Sequence, residues 1–395
     1  MNKLAAIQML RAIAAVLVVL VHAIVRQAEW QRTDQWIVEA AMLAGAMGVW
    51  IFFIISGFIM SYTYHDNFGV PGAAGQFVAS RIVRVVPIYW LATALEVALR
   101  LRHGSGIDVH KLICSLFFIP IAVEPGPMAA MRPMLGVGWT LNYEMMFYAC
   151  FALVLLLPRR RGLTVLLFAM AGLVLTGTFF KPLSDTRDPT SLMTFYSAPI
   201  ILLFGTGVLI GTAARQLAGV SAVRSSALLL TTLVALLAAD VAVFAIFADA
   251  YPAGIAWLVA FWIVCTICVV LCVIVRIDDT GRFSQAIVRL GDASYSLYLF
   301  HIFAIFAIEK LWWLLFGKSG SWAFIFVSSA AAIVTATLIN RFIEKPMTDH
   351  VRRFSALVKA RQSAWQGDAP KFDATQSTAP SGTTYLHNVA HRRSR

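Results

Sequence analysis

Apolar runs of bilayer-spanning length recur along this chain from residue 6 to residue 343, and that repetition fixes the solvent in which it folds. The windows lie near 6–25, 41–63, 82–101, 139–157, 162–180, 195–213, 226–248, 253–275, 293–316 and 321–343. At 1.5 Å per residue, about 20 residues cross a hydrocarbon core of ~30 Å. Lipid offers the backbone no hydrogen-bond partners, so each window must satisfy its own amides, as a helix does. The expected fold is all-α: a polytopic membrane helical bundle of about ten transmembrane helices. Only 13% of the residues are charged, against roughly 25% in water-soluble domains. A shorter window, 110–122, has too few apolar residues to cross and is read as re-entrant or surface-lying.

Charge orients the spans. Positive residues cluster at Arg81 and Arg84, at Arg159, Arg160 and Arg161, at Arg215 and Arg224, and at Arg276, Arg282 and Arg289. If 110–122 does not span, all of these fall on the side of the N-terminus, as the positive-inside rule asks, and both termini are cytoplasmic. The first window is expected to stay on the protein, because Arg11 interrupts the apolar run that a cleaved signal would keep intact. Two parts follow: a membrane domain over 1–346 and a basic, largely disordered cytoplasmic tail over 347–395. From Arg341 onward ten Lys/Arg stand against four Asp/Glu, leaving +6, half of the chain's net +12. Such a tail suits anionic lipid. It lacks the base-reading or stacking elements of a nucleic-acid binder.

Cys265, Cys268 and Cys272 share one face of an apolar span. Their CxxC spacing fits a redox or metal pair, but small apolar packing residues explain it more simply, and no metal ligand set is read from the chain. The order Gly291-Asp292-Ala293-Ser294 does not match a Gly-Asp-Ser nucleophile motif. Asp292 and Ser294 are instead expected to cap the following span.

Ionisable residues inside the spans carry the functional signal, since a charge at the bilayer centre costs at least ~2.5–3.5 kcal/mol. Arg11 and His22 share the first span, 11 residues apart. That spacing puts them within ~20° on one face and ~16 Å apart in depth. Taken singly, Arg11 reads equally as a snorkelling interfacial residue and His22 as a helix–helix contact. Arg81 and Arg84, one turn apart, suit either phosphate binding through bidentate hydrogen bonds or a headgroup contact. Glu144, a few residues into the fourth span, is placed at the depth of His22, where it would orient the imidazole. Tyr295, Tyr298 and His301 form a polar stripe that lines a cavity or bonds a neighbouring helix. Asp240, Glu96 and Glu309 are candidates on burial grounds alone.

Taken together these segments resemble the membrane acyltransferase-3 family, bacterial proteins that O-acylate polysaccharides and other exported acceptors. The resemblance rests on Gln8-Met9-Leu10-Arg11 through His22, on Gly48-Val49-Trp50-Ile51-Phe52-Phe53-Ile54-Ile55-Ser56-Gly57-Phe58, and on residues 77–90. It continues through 139–148, 293–301 and Phe342-Ile343-Glu344-Lys345-Pro346, in the family's order. Within the family the chain looks most like the exopolysaccharide O-acetyltransferases, without the esterase-like domain that some members append. The resemblance implies an O-acetyltransferase of the inner membrane with Arg11 and His22 as the functional pair, Arg81 and Arg84 on the acyl-donor side, and Glu144 as an acidic site residue. It implies acyl-CoA, acetyl-CoA first among them, as donor substrate rather than a bound cofactor, and a saccharide or lipid-linked saccharide as acceptor. Membrane lipid and a polysaccharide biosynthesis complex are the other partners. Tyr143 and Ser56 are candidates for stabilising an oxyanion. Direct transfer and an acyl-histidine intermediate both remain open. The rival readings are a transporter or flippase for a polysaccharide or lipid-linked intermediate, although no internal repeat of the transporter kind is seen, and an inactive scaffold.

Overall fold

Each long apolar window becomes a helix because nothing else satisfies its backbone in lipid. The computed structural model describes residues 4–121, 131–180, 192–217, 221–222, 226–247, 255–277 and 281–349. Its helices are α1 (Ala5–Ala28), α2 (Gln35–Thr63), α3 (Ala73–Arg102), α4 (Val109–Leu116), α5 (Trp139–Val154), α6 (Arg159–Phe180) and α7 (Leu192–Tyr196). They continue as α8 (Leu202–Leu217), α9 (Ser226–Phe247), α10 (Ile255–Ile274), α11 (Arg282–Asp292), α12 (Ser294–Phe316) and α13 (Trp322–Ile339). A two-residue parallel bridge pairs Ser221–Ala222 with Val275–Arg276. Residues 350–395, most of the expected tail, lie outside the described residues.

Among the described residues nine helical segments are long and apolar enough to cross a membrane, with α7 and α8 counted as parts of one. The tenth expected span is α5, whose 16 residues rise only ~24 Å. It is preceded by a 3-10 turn, Gly136–Gly138, in which Val137 and Gly138 are buried. Helix α5 therefore starts inside the protein rather than at a membrane surface. The 110–122 window yields only α4, whose eight residues rise ~12 Å and cannot cross. Asp108 caps α4 by accepting from the Lys111 amide at 2.9 Å. The chain leaves α4 through Phe118 at φ 59°, a conformation costly for an aromatic residue, with its ring held 4.8 Å from that of Tyr89.

Helix α1 lies at the centre, against α2, α11, α12 and α13. Close approach depends on missing side chains, as is usual where lipid supplies no hydrophobic drive. A Cβ on Gly57 of α2 would lie 2.0 Å from the Phe204 carbonyl oxygen of α8, and one on Gly207 of α8 only 1.9 Å from that of Ile54. A Cβ on Gly291 of α11 would likewise lie 1.9 Å from the Gln8 carbonyl oxygen, and this close approach brings the start of α12 to Arg11. At the far end of α1, Gln27 and Gln31 accept from the Ser321 and Gly320 amides, both at 3.2 Å, and tie down the α12–α13 turn. Helix α13 runs into a π turn, Asn340–Glu344, a distortion that recurs at functional sites.

Candidate active site

Helices α1 and α12 run side by side in one direction, and three polar rungs join them. Arg11 donates to Ser294 Oγ at 2.8 Å, the His22 and His301 rings meet edge-on with centroids 4.8 Å apart, and Arg26 donates to Glu309 at 2.9 Å. At 100° per residue the three α1 positions fall within about 60° of one face. The rest of that face is apolar, so the rungs are where α1 and α12 recognise each other in lipid.

At the first rung Arg11 also donates to Gln8 Oε1, at 3.0 Å. The cap expected from Ser294 does not form: the N-cap of α12 is Ala293, without a side-chain bond, because the Ser294 hydroxyl accepts from the guanidinium. The π turn adds an acidic neighbour. Buried Glu344 accepts from Ser296 at 2.5 Å and from Asn340 at 2.9 Å.

Beside this rung opens a cavity with about 820 Å³ of empty space, mouth included. Arg11, Arg81, Arg84, Ser56, Glu144, Tyr148, Tyr295 and Tyr298 line it, among apolar residues of α2. Three guanidiniums face one carboxylate, an excess of two positive charges. Among the described residues neither Arg81 nor Arg84 is ion-paired. Arg81 lies over the rings of Phe77 and Tyr148, each 5.8 Å from its guanidinium carbon. Pro87, inside α3, leaves the Val83 carbonyl without its helical donor just past Arg84. The carboxylate of Glu144 accepts from Tyr148 and, at 3.4 Å, from Ser56.

Glu144 is not at the depth of His22, and among the described residues no hydrogen bond joins them. Depth counted from a membrane surface misplaces it because α5 begins inside the protein. The Tyr298 hydroxyl donates to Val137 O at 2.5 Å and accepts from Thr140 at 2.7 Å. This levels the start of α5 with the second turn of α12, so Glu144, one turn further on, belongs to the arginine cavity.

The histidine rung lies past Tyr298, whose ring centroid is 6.3 Å from that of His301. His22 places Nδ1 2.8 Å from Val18 O, and His301 places Nδ1 3.0 Å from Leu297 O. A carbonyl oxygen only accepts, so Nδ1 carries the hydrogen in both rings and Nε2 holds the lone pair. His301 is 0% exposed and its Nε2 has no partner among the described residues. A buried acceptor left unmade costs ~1–3 kcal/mol.

Of the other expected residues, Tyr295 is on the cavity wall and donates to Val85 O at 2.7 Å. Tyr143 is not: it stacks on Phe195 and donates to that residue's carbonyl at 2.8 Å. Glu96 forms an i,i+4 pair with Arg100 at 2.7 Å near the end of α3, worth a few tenths of a kcal/mol. Asp240 is buried on α9 with Oδ2 unpartnered among the described residues. Cys265, Cys268 and Cys272 are free thiols at 0% exposure, in core packing. Two participants are not singled out by the sequence. Arg26 falls one residue past the first apolar window, although the repeat of α1's polar face points at it. Glu344 lies past the last window, inside the Phe342–Pro346 segment but without a role read for it.

The chain was compared with known proteins. The acyltransferase domain family matches residues 4–341. The chain is 34% identical over 276 residues to the exopolysaccharide production protein ExoZ of Rhizobium meliloti (strain 1021), covering 67% of this chain and 78% of ExoZ. It is 26% identical over 336 residues to nodulation protein 10 of Rhizobium leguminosarum bv. viciae, covering 79% of this chain and 84% of that protein. No solved structure matches. With the family matched over nearly its whole membrane part, the chain belongs to the acyltransferase domain family and is a multi-pass membrane acyltransferase.

Proposed function

We propose that the protein moves an acetyl group from cytoplasmic acetyl-CoA to a hydroxyl of an exported saccharide, in the inner membrane of the cell. The observation that carries this reading is the cavity's charge: Arg11, Arg81 and Arg84 line it, with Glu144 as the one carboxylate among the described lining residues. Asp292 and Glu344 act on Arg11 from behind, and Arg81 and Arg84 are left without an ion pair among the described residues. Arg81 and Arg84 are half-buried on the cavity wall, and a polyanionic donor supplies their missing counter-charge through charge-assisted hydrogen bonds. Arg81 and Arg84 hold the phosphates, and the positive-inside rule puts them, both termini and the tail over 347–395 on the cytoplasmic side. Glu144, fixed by Tyr148 and Ser56, spaces the guanidiniums. Arg11 sits between the phosphate end and the seam that leads to His22.

The rise from Arg11 to His22 is ~16 Å, a distance for the donor's extended pantetheine arm to bridge. His22, with its Nε2 lone pair free, takes the proton from the acceptor hydroxyl as the new C–O bond forms and the C–S bond breaks. The proton ends on the departing thiolate. The acceptor class is the one named by ExoZ, an exopolysaccharide production protein. A polysaccharide biosynthesis complex would deliver that acceptor to the outer side.

The test is incorporation of labelled acetate into exported polysaccharide by cells carrying wild-type chain or His22→Ala at equal membrane abundance. Label with wild type and none with His22→Ala is the expected result. Equal labelling by the two removes His22 from the chemistry.

A further inference from the structure

We propose that His301 is the second half of the base: it holds, through its Nε2, the proton that His22 removes. The inference rests on the acyl-transfer reading above and adds a residue that the transfer step itself does not require. Its observations are independent of that reading. Both rings spend Nδ1–H on the carbonyl four residues back in their own helix. Each imidazole is thereby locked in one tautomer, with Nε2 as a bare acceptor. The rings meet edge-on at 4.8 Å between centroids. His301 is fully buried, and its Nε2 finds no donor among the described residues.

A histidine that only filled space would be better replaced by an apolar residue, because buried polar atoms are ordinarily bonded. Its acceptor, empty among the described residues and beside the His22 imidazole, can take the Nε2–H that His22 acquires during transfer. The imidazole χ2 torsion is soft, so His22 can turn that hydrogen toward His301, loosening its own bond to the Val18 carbonyl as it does. The balance is closed. The acceptor O–H breaks as its oxygen bonds the acyl carbon, and the hydrogen sits on His22 Nε2, shared with His301 Nε2. The C–S bond breaks and the hydrogen passes to the thiolate, leaving both rings neutral. His301 touches no substrate in this scheme; it is a positioning residue acting through His22.

The test uses the full chain in proteoliposomes, with acetyl-CoA as donor and chemically deacetylated exopolysaccharide as acceptor. His301→Gln keeps an acceptor oxygen near the position of Nε2; His301→Leu keeps bulk without one. The expected result is a fall in kcat of about 10²-fold for His301→Leu, an unchanged KM for acetyl-CoA, and substantial recovery in His301→Gln. A His22→Ala/His301→Leu double variant is expected to be no slower than His22→Ala. In wild type, ¹⁵N shifts of labelled histidine are expected to report Nδ1–H tautomers at both positions. Equal rates for His301→Leu and wild type overturn the inference alone, as does an Nε2–H tautomer at His301. A wild type that transfers no acetyl overturns the reading of the reaction and the relay with it, whatever the tautomers.

Discussion

The arginine cavity and the histidine pair share one seam and are built on opposite principles. The cavity is roomy and open, and its three guanidiniums outnumber its carboxylate. The histidine pair is closed on the His301 side, and each ring is anchored to its own helix. The difference follows from what each group must do in lipid. A fixed cation is tolerated only where water or an anion can reach it, and the unpaired guanidiniums line the open cavity. A base works best as a neutral ring kept from water, where the charge it acquires is felt most strongly by its neighbours. The polar residues thus differ along the seam: unpaired guanidiniums line the cavity, neutral rings meet beyond Tyr298, and the charge further on, Arg26, is paired with buried Glu309.

This contrast can be broken from either end. The largest effect is expected from His22→Ala, a fall in kcat of about 10²–10⁴-fold, the usual worth of a general base, read as label in exported polysaccharide. Next, Arg81→Ala and Arg84→Ala should each raise the KM for acetyl-CoA by about 10-fold or more, since hydrogen bonds between charged groups are worth ~1.5–3 kcal/mol, while kcat stays within a few-fold. Initial rates against donor concentration separate the two. The smallest kinetic effect belongs to a residue outside both layers. Tyr143→Phe removes one of the two donors to the Phe195 carbonyl and leaves the Ala198 amide at 3.3 Å, which should cost about 0.5–1.5 kcal/mol of stability, seen as a lower melting midpoint, with kcat and KM unchanged. A Tyr143→Phe enzyme that is stable but slow would place that hydroxyl in the chemistry after all.

Much of the bundle is legible in the sequence, because span length and hydropathy are local properties. So is the shared face of Arg11 and His22, which needs only the helical period. Which helix faces which is not local. The partners of that face, Ser294, His301 and Glu309 on α12, become visible only once α1 and α12 are side by side. Glu144 shows the same limit: its depth cannot be counted from the membrane surface when α5 begins at the level of Tyr298. Ser294 reads as a cap because Ser before an apolar run usually is one, and only the arrival of Arg11 redirects its hydroxyl. Helix α11 escapes a search for spans because it is amphipathic, yet its Gly291 sets the distance between α1 and the start of α12.

The division of labour along the seam is tested most directly by equilibrium binding of acetyl-CoA to the purified full chain. His22→Ala is expected to bind with wild-type affinity, and Arg81→Ala/Arg84→Ala to lose binding by about 100-fold or more, two charge-assisted contacts being removed. The opposite pattern, with binding lost in His22→Ala and kept in the arginine variant, would contradict the account at its centre.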